Sequence, residues 1–149
     1  PGAREFLDKL KEITQVIIIS DTFSQFAGPL MKKLGYPTIF CNSLVVSENG
    51  EITDFKMRCE KSKYTTVKAL QSCGFETIAS GDSHNDLAMI EASKAGFLFR
   101  TTEEIKAEYP HIPYFHNCIC NRKSSPRNPH SGSCFSIVYP LKCSLIIFQ

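Results

Sequence analysis

The sequence has no run of about 18 apolar residues, and its start lacks the pattern of an export signal. Neither membrane insertion nor export is therefore indicated. It has no internal repeat, which argues against solenoid and propeller architectures. It has no acidic residue at all after residue 115. Residues 116–149 carry Arg122, Lys123, Arg127 and Lys142 unopposed, whereas all 15 acids lie in residues 1–115 with 13 Lys and Arg. The two parts have different characters. The chain begins at Pro1 without an initiator Met, so it is expected to be a fragment of a longer protein.

What is present fits one globular domain. The 149 residues are 42% hydrophobic and 21% charged, enough for a real core. There are seven cysteines, an odd number. Cys41, Cys59 and Cys73 are scattered through the body, as small apolar residues in a reducing, cytoplasmic compartment would be. Cys118, Cys120, Cys134 and Cys143 crowd into the basic part.

Taken in order, Ala3, Phe6, Leu7, Leu10 and Ile13 recur at helical spacing among charged residues, which predicts an amphipathic helix. Val16-Ile17-Ile18-Ile19 has no polar alternation, the sign of a strand covered on both faces, and is expected to stop at Ser20-Asp21-Thr22. Phe23, Phe26, Leu30 and Leu34 mark a second helix. Gly28-Pro29 predicts a kink or a short turn before the main helix begins near Pro29, and Gly35 its stop. Asn49-Gly50 between two β-rich runs, Thr38 to Val46 and Ile52 to Met57, predicts a hairpin. A helix on Val67 and Leu70 closes at Gly74. The run Thr77 to Ser80 is a buried strand, followed by a helix on Leu87, Met89 and Ile90. Ala95 to Phe99 is a short strand, and Thr101 or Thr102 caps a helix that stops at Pro110. Strands alternating with helices imply βαβ units and a mainly parallel sheet. The alternation is lost after about His116. Asn121 to Gly132 has loop composition, and Phe135 to Tyr139 and Leu141 to Phe148 are apolar runs that nothing upstream calls for.

Chemistry concentrates in Gly81-Asp82-Ser83-His84-Asn85-Asp86, at the end of a strand and the start of a helix. Ligands bind at that edge of a parallel sheet. Asp82, Asn85 and Asp86 together suit a hard cation such as Mg²⁺, although one of them alone would be read as a helix cap. Ser20-Asp21-Thr22 stands at a similar edge, where a hydroxyl and free N–H groups can hold a phosphate oxygen or cap a helix. Lys63, expected just before the Val67 helix and among Arg58, Lys61 and Lys68, is weak by itself. His84 has no assigned role.

Hydroxyl, lysine and carboxylate cluster in this order resemble the haloacid dehalogenase-like phosphatase superfamily. Val16 to Phe23, Pro29 to Pro37 and Gly81 to Asp86 carry the resemblance. Within it, they are most similar to the phosphoserine phosphatase branch, of the bifunctional phosphoserine phosphatase/homoserine phosphotransferase type. The likeness covers roughly Pro1 to Phe115. It implies a Rossmann-like α/β core, a phosphoaspartyl intermediate, Mg²⁺ and a part in L-serine biosynthesis. By family match Ser20 and the Asp21 N–H bind phosphate oxygens, and Lys63 neutralises phosphate and nucleophile. Asp82 ligates Mg²⁺, Asp86 belongs to the metal site, and Asn85 contacts substrate or phosphate.

The family's first motif, Asp-x-Asp at the end of a central strand, does not occur in these 149 residues. The core is thus expected to be incomplete, lacking that strand and the helical cap, with a gap between the Ser20 and Asp82 strands. Residues 1–115 are read as a partial phosphatase core. Residues 116–149 are read as a poorly ordered, non-family tail that contributes little to stability. His116, Cys118, Cys120, His130 and Cys134 do not have the usual zinc-knuckle spacing, and a basic tail without an ordered platform is weak evidence for nucleic acid. The expectation is a fragment of a Mg²⁺-dependent phosphoserine hydrolase or phosphotransferase that is inactive alone. The alternative is a non-catalytic phosphate-binding or interaction protein. Oligomeric state and acceptor stay open.

Overall fold

The structure is a computed structural model and describes residues 3–116 and 144–148. It is an α/β fold in three layers. The β-branched run forms the middle of β1 (Gln15–Phe23), and its side chains alternate between two cores. Val16 and Ile18 pack with Phe6, Leu7 and Leu10 of α1 (Ala3–Lys11) and with Ala27 and Met31 of α2 (Ser24–Lys33). Ile17 and Ile19 pack on the opposite face with Val67 of α3 (Ser62–Ser72) and Leu87, Met89 and Ile90 of α4 (His84–Ala92). A strand buried on both faces cannot show polar alternation, which is why this run has none.

The remaining elements are β2 (Thr38–Val46), β3 (Ile52–Lys56), β4 (Thr77–Gly81), β5 (Ala95–Phe99), α5 (Glu103–Glu108), β6 (Tyr114–Phe115) and β7 (Ser144–Phe148). The sheet order is β3-β2-β1-β7-β4-β5-β6. β1 pairs in parallel with β2, β4 with β5, and β5 with β6. The β2–β3 hairpin is antiparallel and turns through Ser47 to Glu51, as Asn49-Gly50 predicts. The helices α2 and α3 end where predicted, with Gly35 and Gly74 at positive φ just past their caps.

Four expectations are corrected. α2 runs through Pro29 as one helix, because Gly28 has no Cβ to press on the proline ring. β1 does not stop at Ser20 but continues to Phe23. Its register to β2 jumps from Ile19↔Phe40 to Phe23↔Asn42, so Ser20-Asp21-Thr22 sit in a bulge, outside the regular ladder. Lys63 is not ahead of its helix but in the first turn of α3.

The fourth correction is the gap. β7 fills the slot between β1 and β4, antiparallel to both, with Ile17 and Ala79 both opposite Ile146. A central slot left open would strand unpaired backbone groups on β1 and β4, and a short apolar segment of either direction can satisfy them. The last strand of the tail is therefore part of the sheet. The loop region Asn121 to Gly132, the run Phe135 to Tyr139 and the tail cysteines lie outside the described residues.

β7 gives a direct test of the sheet order. Ile146→Pro removes one ladder donor in a central strand and should cost about 1–3 kcal/mol, read by urea unfolding. The amides of Ser144–Phe148 should exchange as slowly as those of β1 and β4. Unprotected amides there, with stability unchanged by the proline, would show that this strand is not docked.

Candidate functional site

The parallel relation of β1 and β4 brings the carboxyl ends of both strands to one edge. The β1 bulge delivers Ser20, Asp21 and Thr22, and the turn after β4 delivers Asp82 and Ser83. α3 brings Lys63 from the layer above, and α4 brings Asp86.

Lys63 and Asp86 form the buried centre of this edge. Lys63 Nζ donates to Asp86 Oδ1 at 2.8 Å and pairs with Asp21 Oδ2 at 3.0 Å. The Asp86 side chain is 1% exposed, that of Lys63 10%, and that of Asp21 52%. The other Asp86 oxygen accepts from the Asp82 N–H at 3.0 Å, the Ser83 N–H at 3.0 Å and the Ser83 hydroxyl at 2.9 Å. Asp86 thus spends one oxygen on the lysine and the other on the turn. Burial alone would push the Lys63 pKa down, but the hydrogen bonds and charges of Asp86 and then Asp21 outweigh it and raise the value. Lys63 is an ammonium throughout the neutral range.

Local sequence explains the tightness of the turn. A Cβ at Gly81 would overlap Cβ, Cγ and Oδ2 of Asp86, so only glycine lets the carboxylate come this close to the strand. Ser83 is the N-cap of α4, and the return of the Asp86 carboxylate to its N–H satisfies a helix-end donor. The Asp82 carbonyl accepts from the Thr101 hydroxyl at 2.8 Å. Of the two threonines weighed as the α5 cap, Thr102 takes that role and Thr101 holds the site turn.

Of the residues singled out by sequence, Asp21, Lys63, Asp82 and Asp86 are joined by these bonds. Ser20 is buried beside them, its Oγ accepting from the Thr22 N–H at 3.3 Å. Asn85 lies exposed on the first turn of α4, and His84 pairs with Glu108 at the surface. Asn42, Ser83 and Thr101 were not singled out as site residues. Asn42 and Thr101 each reach a site turn by one side-chain group from another element, while Ser83 lies in the turn and holds Asp86 by its N–H and hydroxyl, and no spacing rule links the three.

An Mg²⁺ site is constrained by this geometry. Asp86 is already engaged by four donors, and Asp82 is the other carboxylate of this turn. Mg²⁺ takes one or two protein carboxylates and completes its shell with water and phosphate oxygens. Among the described residues, no group of three His, Cys, Asp or Glu converges on a point. The residues fit an ion shared with a phosphate, not a protein cage.

Comparisons with known proteins bear on the family and the fold. The haloacid dehalogenase-like hydrolase family matches residues 1–94. The chain is 40% identical over 115 residues to the phosphoserine phosphatase ThrH of Pseudomonas aeruginosa, which spans 77% of this chain and 56% of that protein. It is likewise 40% identical to a phosphoserine phosphatase of Pseudomonas syringae, over 77% of this chain and 48% of that protein. The chain therefore spans about half the length of these relatives. A crystal structure of phosphoserine phosphatase in its apo form superposes with TM-score 0.60 at 27% identity, over 72% of this chain and 57% of that one. A substrate-bound phosphoserine phosphatase complex gives 0.59 at 25% identity, over 72% and 54%.

The unequal exposure of the two carboxylates on Lys63 predicts unequal mutants. Lys63→Met leaves Asp86 buried without its cation and should cost about 3–5 kcal/mol at neutral pH. Asp21→Ala breaks a half-exposed pair and should cost about 1 kcal/mol or less. Because the folded pKa of Lys63 is raised, its stabilisation is complete below the unfolded value of about 10.4 and is lost as pH rises through the folded value above that. The gap between wild type and Lys63→Met, measured by denaturant unfolding, should be flat from pH 6 to 9 and shrink only in strong alkali.

Proposed function

The chain belongs to the haloacid dehalogenase-like hydrolases, and from that premise we propose that the Ser20–Lys63–Asp82 edge is the phosphate-binding half of a Mg²⁺-dependent phosphoserine phosphatase or phosphotransferase. The observation that carries this is the Lys63 ammonium, held at a parallel-sheet edge between one buried and one half-exposed carboxylate. Asp86 is the permanent partner, since its burial makes separation expensive. Asp21 is the displaceable one. A phosphate oxygen can take the place of the Asp21 carboxylate on Nζ while the Lys63–Asp86 bond stays intact.

Ser20 and the Asp21 N–H lie on the same bulge and would supply donors to further phosphate oxygens, and Asn85, exposed at the start of α4, is assigned to substrate or phosphate. In phosphoryl transfer, fixed positive charge and donors carry most of the catalysis. Asp82 would hold Mg²⁺, which supplies charge compensation between phosphate and nucleophile when bound. The phosphoaspartyl route needs a nucleophilic carboxylate in an Asp-x-Asp motif, and that motif is not in these 149 residues. The covalent step is accordingly assigned to no residue of this chain. Phosphoserine as substrate, and with it a part in serine biosynthesis, rests on the relatives. The second reading, a phosphate-binding protein without turnover, is favoured by the same missing motif.

Titration calorimetry with inorganic phosphate, with and without Mg²⁺, separates the parts. Phosphate should bind, Lys63→Ala should weaken it about tenfold or more, and Ser20→Ala should weaken it less. Asp82→Ala should remove the enhancement by Mg²⁺. Phosphoserine with Mg²⁺ should not be hydrolysed by this chain. Unchanged phosphate affinity in a folded Lys63→Ala would overturn the site. Turnover abolished by Asp82→Ala would show that the chain carries its own nucleophile.

A further inference from the structure

The Asp21 carbonyl is in the β1 bulge, where the β1–β2 ladder is interrupted. It accepts instead from Asn42 Nδ2 of β2 at 3.0 Å. Asn42 is 3% exposed, and its other side-chain atom, Oδ1, accepts from the Arg58 N–H at 3.0 Å. One buried amide therefore ties the Asp21 bulge to the segment that leads into α3.

Arg58 continues the connection. Its Nη2 donates to Ser62 O at 3.0 Å, to Ser62 Oγ at 2.7 Å and to Thr66 Oγ1 at 2.6 Å, and its guanidinium lies 4.9 Å from the Phe40 ring centroid. These acceptors sit on the first two turns of α3, on either side of Lys63. The turn before α3 passes through Lys61 at φ 45°, a left-handed conformation that a lysine does not adopt for its own sake. Fixed bonds on both sides of it hold such a residue in place.

We propose that Asn42, with Arg58 behind it, is a positioning clamp that sets the separation between Asp21 and Lys63, and so the width of the anion site. This rests on the phosphate reading of that site. The argument is geometric. Asp21 and Lys63 come from different layers and meet only through a half-exposed ion pair, which is too weak to fix their spacing. Asn42 joins the Asp21 backbone to the Arg58 backbone, and the Arg58 side chain carries the link to Ser62 and Thr66 beside Lys63, through part-buried hydrogen bonds that do not involve Nζ. When phosphate displaces the Asp21 carboxylate, the clamp keeps the Asp21 N–H and the Lys63 ammonium at their original distance.

The test uses nitrogen-labelled protein, with the Lys63 ammonium and Asp21 amide signals followed by NMR during inorganic phosphate titration. Asn42→Leu should shift the Asp21 amide, speed exchange of the Lys63 ammonium and weaken phosphate binding about tenfold, the worth of one or two lost hydrogen bonds. Asn42→Asp keeps the acceptor for the Arg58 N–H but loses the donor to Asp21. It should move the Asp21 signal and leave the Ser62 and Thr66 amides in place. Arg58→Ala should do the reverse, moving Ser62 and Thr66 first. A folded Asn42→Leu with wild-type Asp21 and Lys63 signals and wild-type phosphate affinity overturns the clamp alone. If Asn42→Leu does not fold, Asn42→Asp and Arg58→Ala decide by the same signals. Wild type that binds no phosphate overturns the proposed function, and the clamp's purpose with it.

Discussion

A carboxylate as buried as Asp86 cannot stand without a counter-charge and donors for its remaining lone pairs. Much else in this molecule follows from that requirement. The counter-charge must come from another element, which fixes where α3 lies over the sheet. The donors must come from the turn, which fixes Asp82 and Ser83 at the end of β4. The close approach needs a glycine, and Gly81 is there. The site is thus first a solution to a burial problem. The proposed anion site uses the surplus, a lysine whose second partner is half in water.

The sheet poses a similar problem on a larger scale. β1 and β4 are parallel and each is paired on its outer side, to β2 and β5 respectively. Between them is room for one strand, and the backbone groups lining it must be paired. β7 does this antiparallel, which shows that hydrogen-bond satisfaction and not strand direction is the demand the slot makes. The apolar strand core and the two helical layers are indifferent to that direction, since side chains alternate faces whichever way a strand runs.

This explains what could be read from the sequence and what could not. The β1 run, the hairpin at Asn49-Gly50 and the strand–turn–helix at Gly81 are local patterns, set by burial period and turn chemistry within a few residues. They were legible, and with them Ser20, Asp21, Asp82 and Asp86 as candidates, whereas Lys63 was weak by itself and entered through the family resemblance. The pairing of β7 is a contact between residues more than 60 apart, and the short run Ser144–Phe148 has no pattern that names its neighbours. The bulge at Ser20-Asp21-Thr22 was read as a strand end because a bulge and a strand end use the same polar residues. Asn42 sits in a β-rich run, where a single polar residue looks like an exposed alternation. That it is buried, and why, depends on the bulge opposite.

The same reasoning bears on how binding and stability divide at this edge. The groups that keep the turn folded, Gly81, Ser83, Asp86 and Thr101, have their bonding directed inward at the protein. Those proposed to meet a ligand, Ser20, Asp21, Asn85 and Lys63, include the half-exposed Asp21 and the exposed Asn85. Lys63 alone belongs to both groups. Its bond to Asp86 is buried and its pair with Asp21 is half-exposed, so under the proposed function an anion would exchange with Asp21 without unfolding the turn. A lysine between two equally buried carboxylates would be locked, and one between two exposed carboxylates would not be positioned. The inequality between Asp86 and Asp21 holds this edge together and, under the proposed function, is what would let it respond to a ligand.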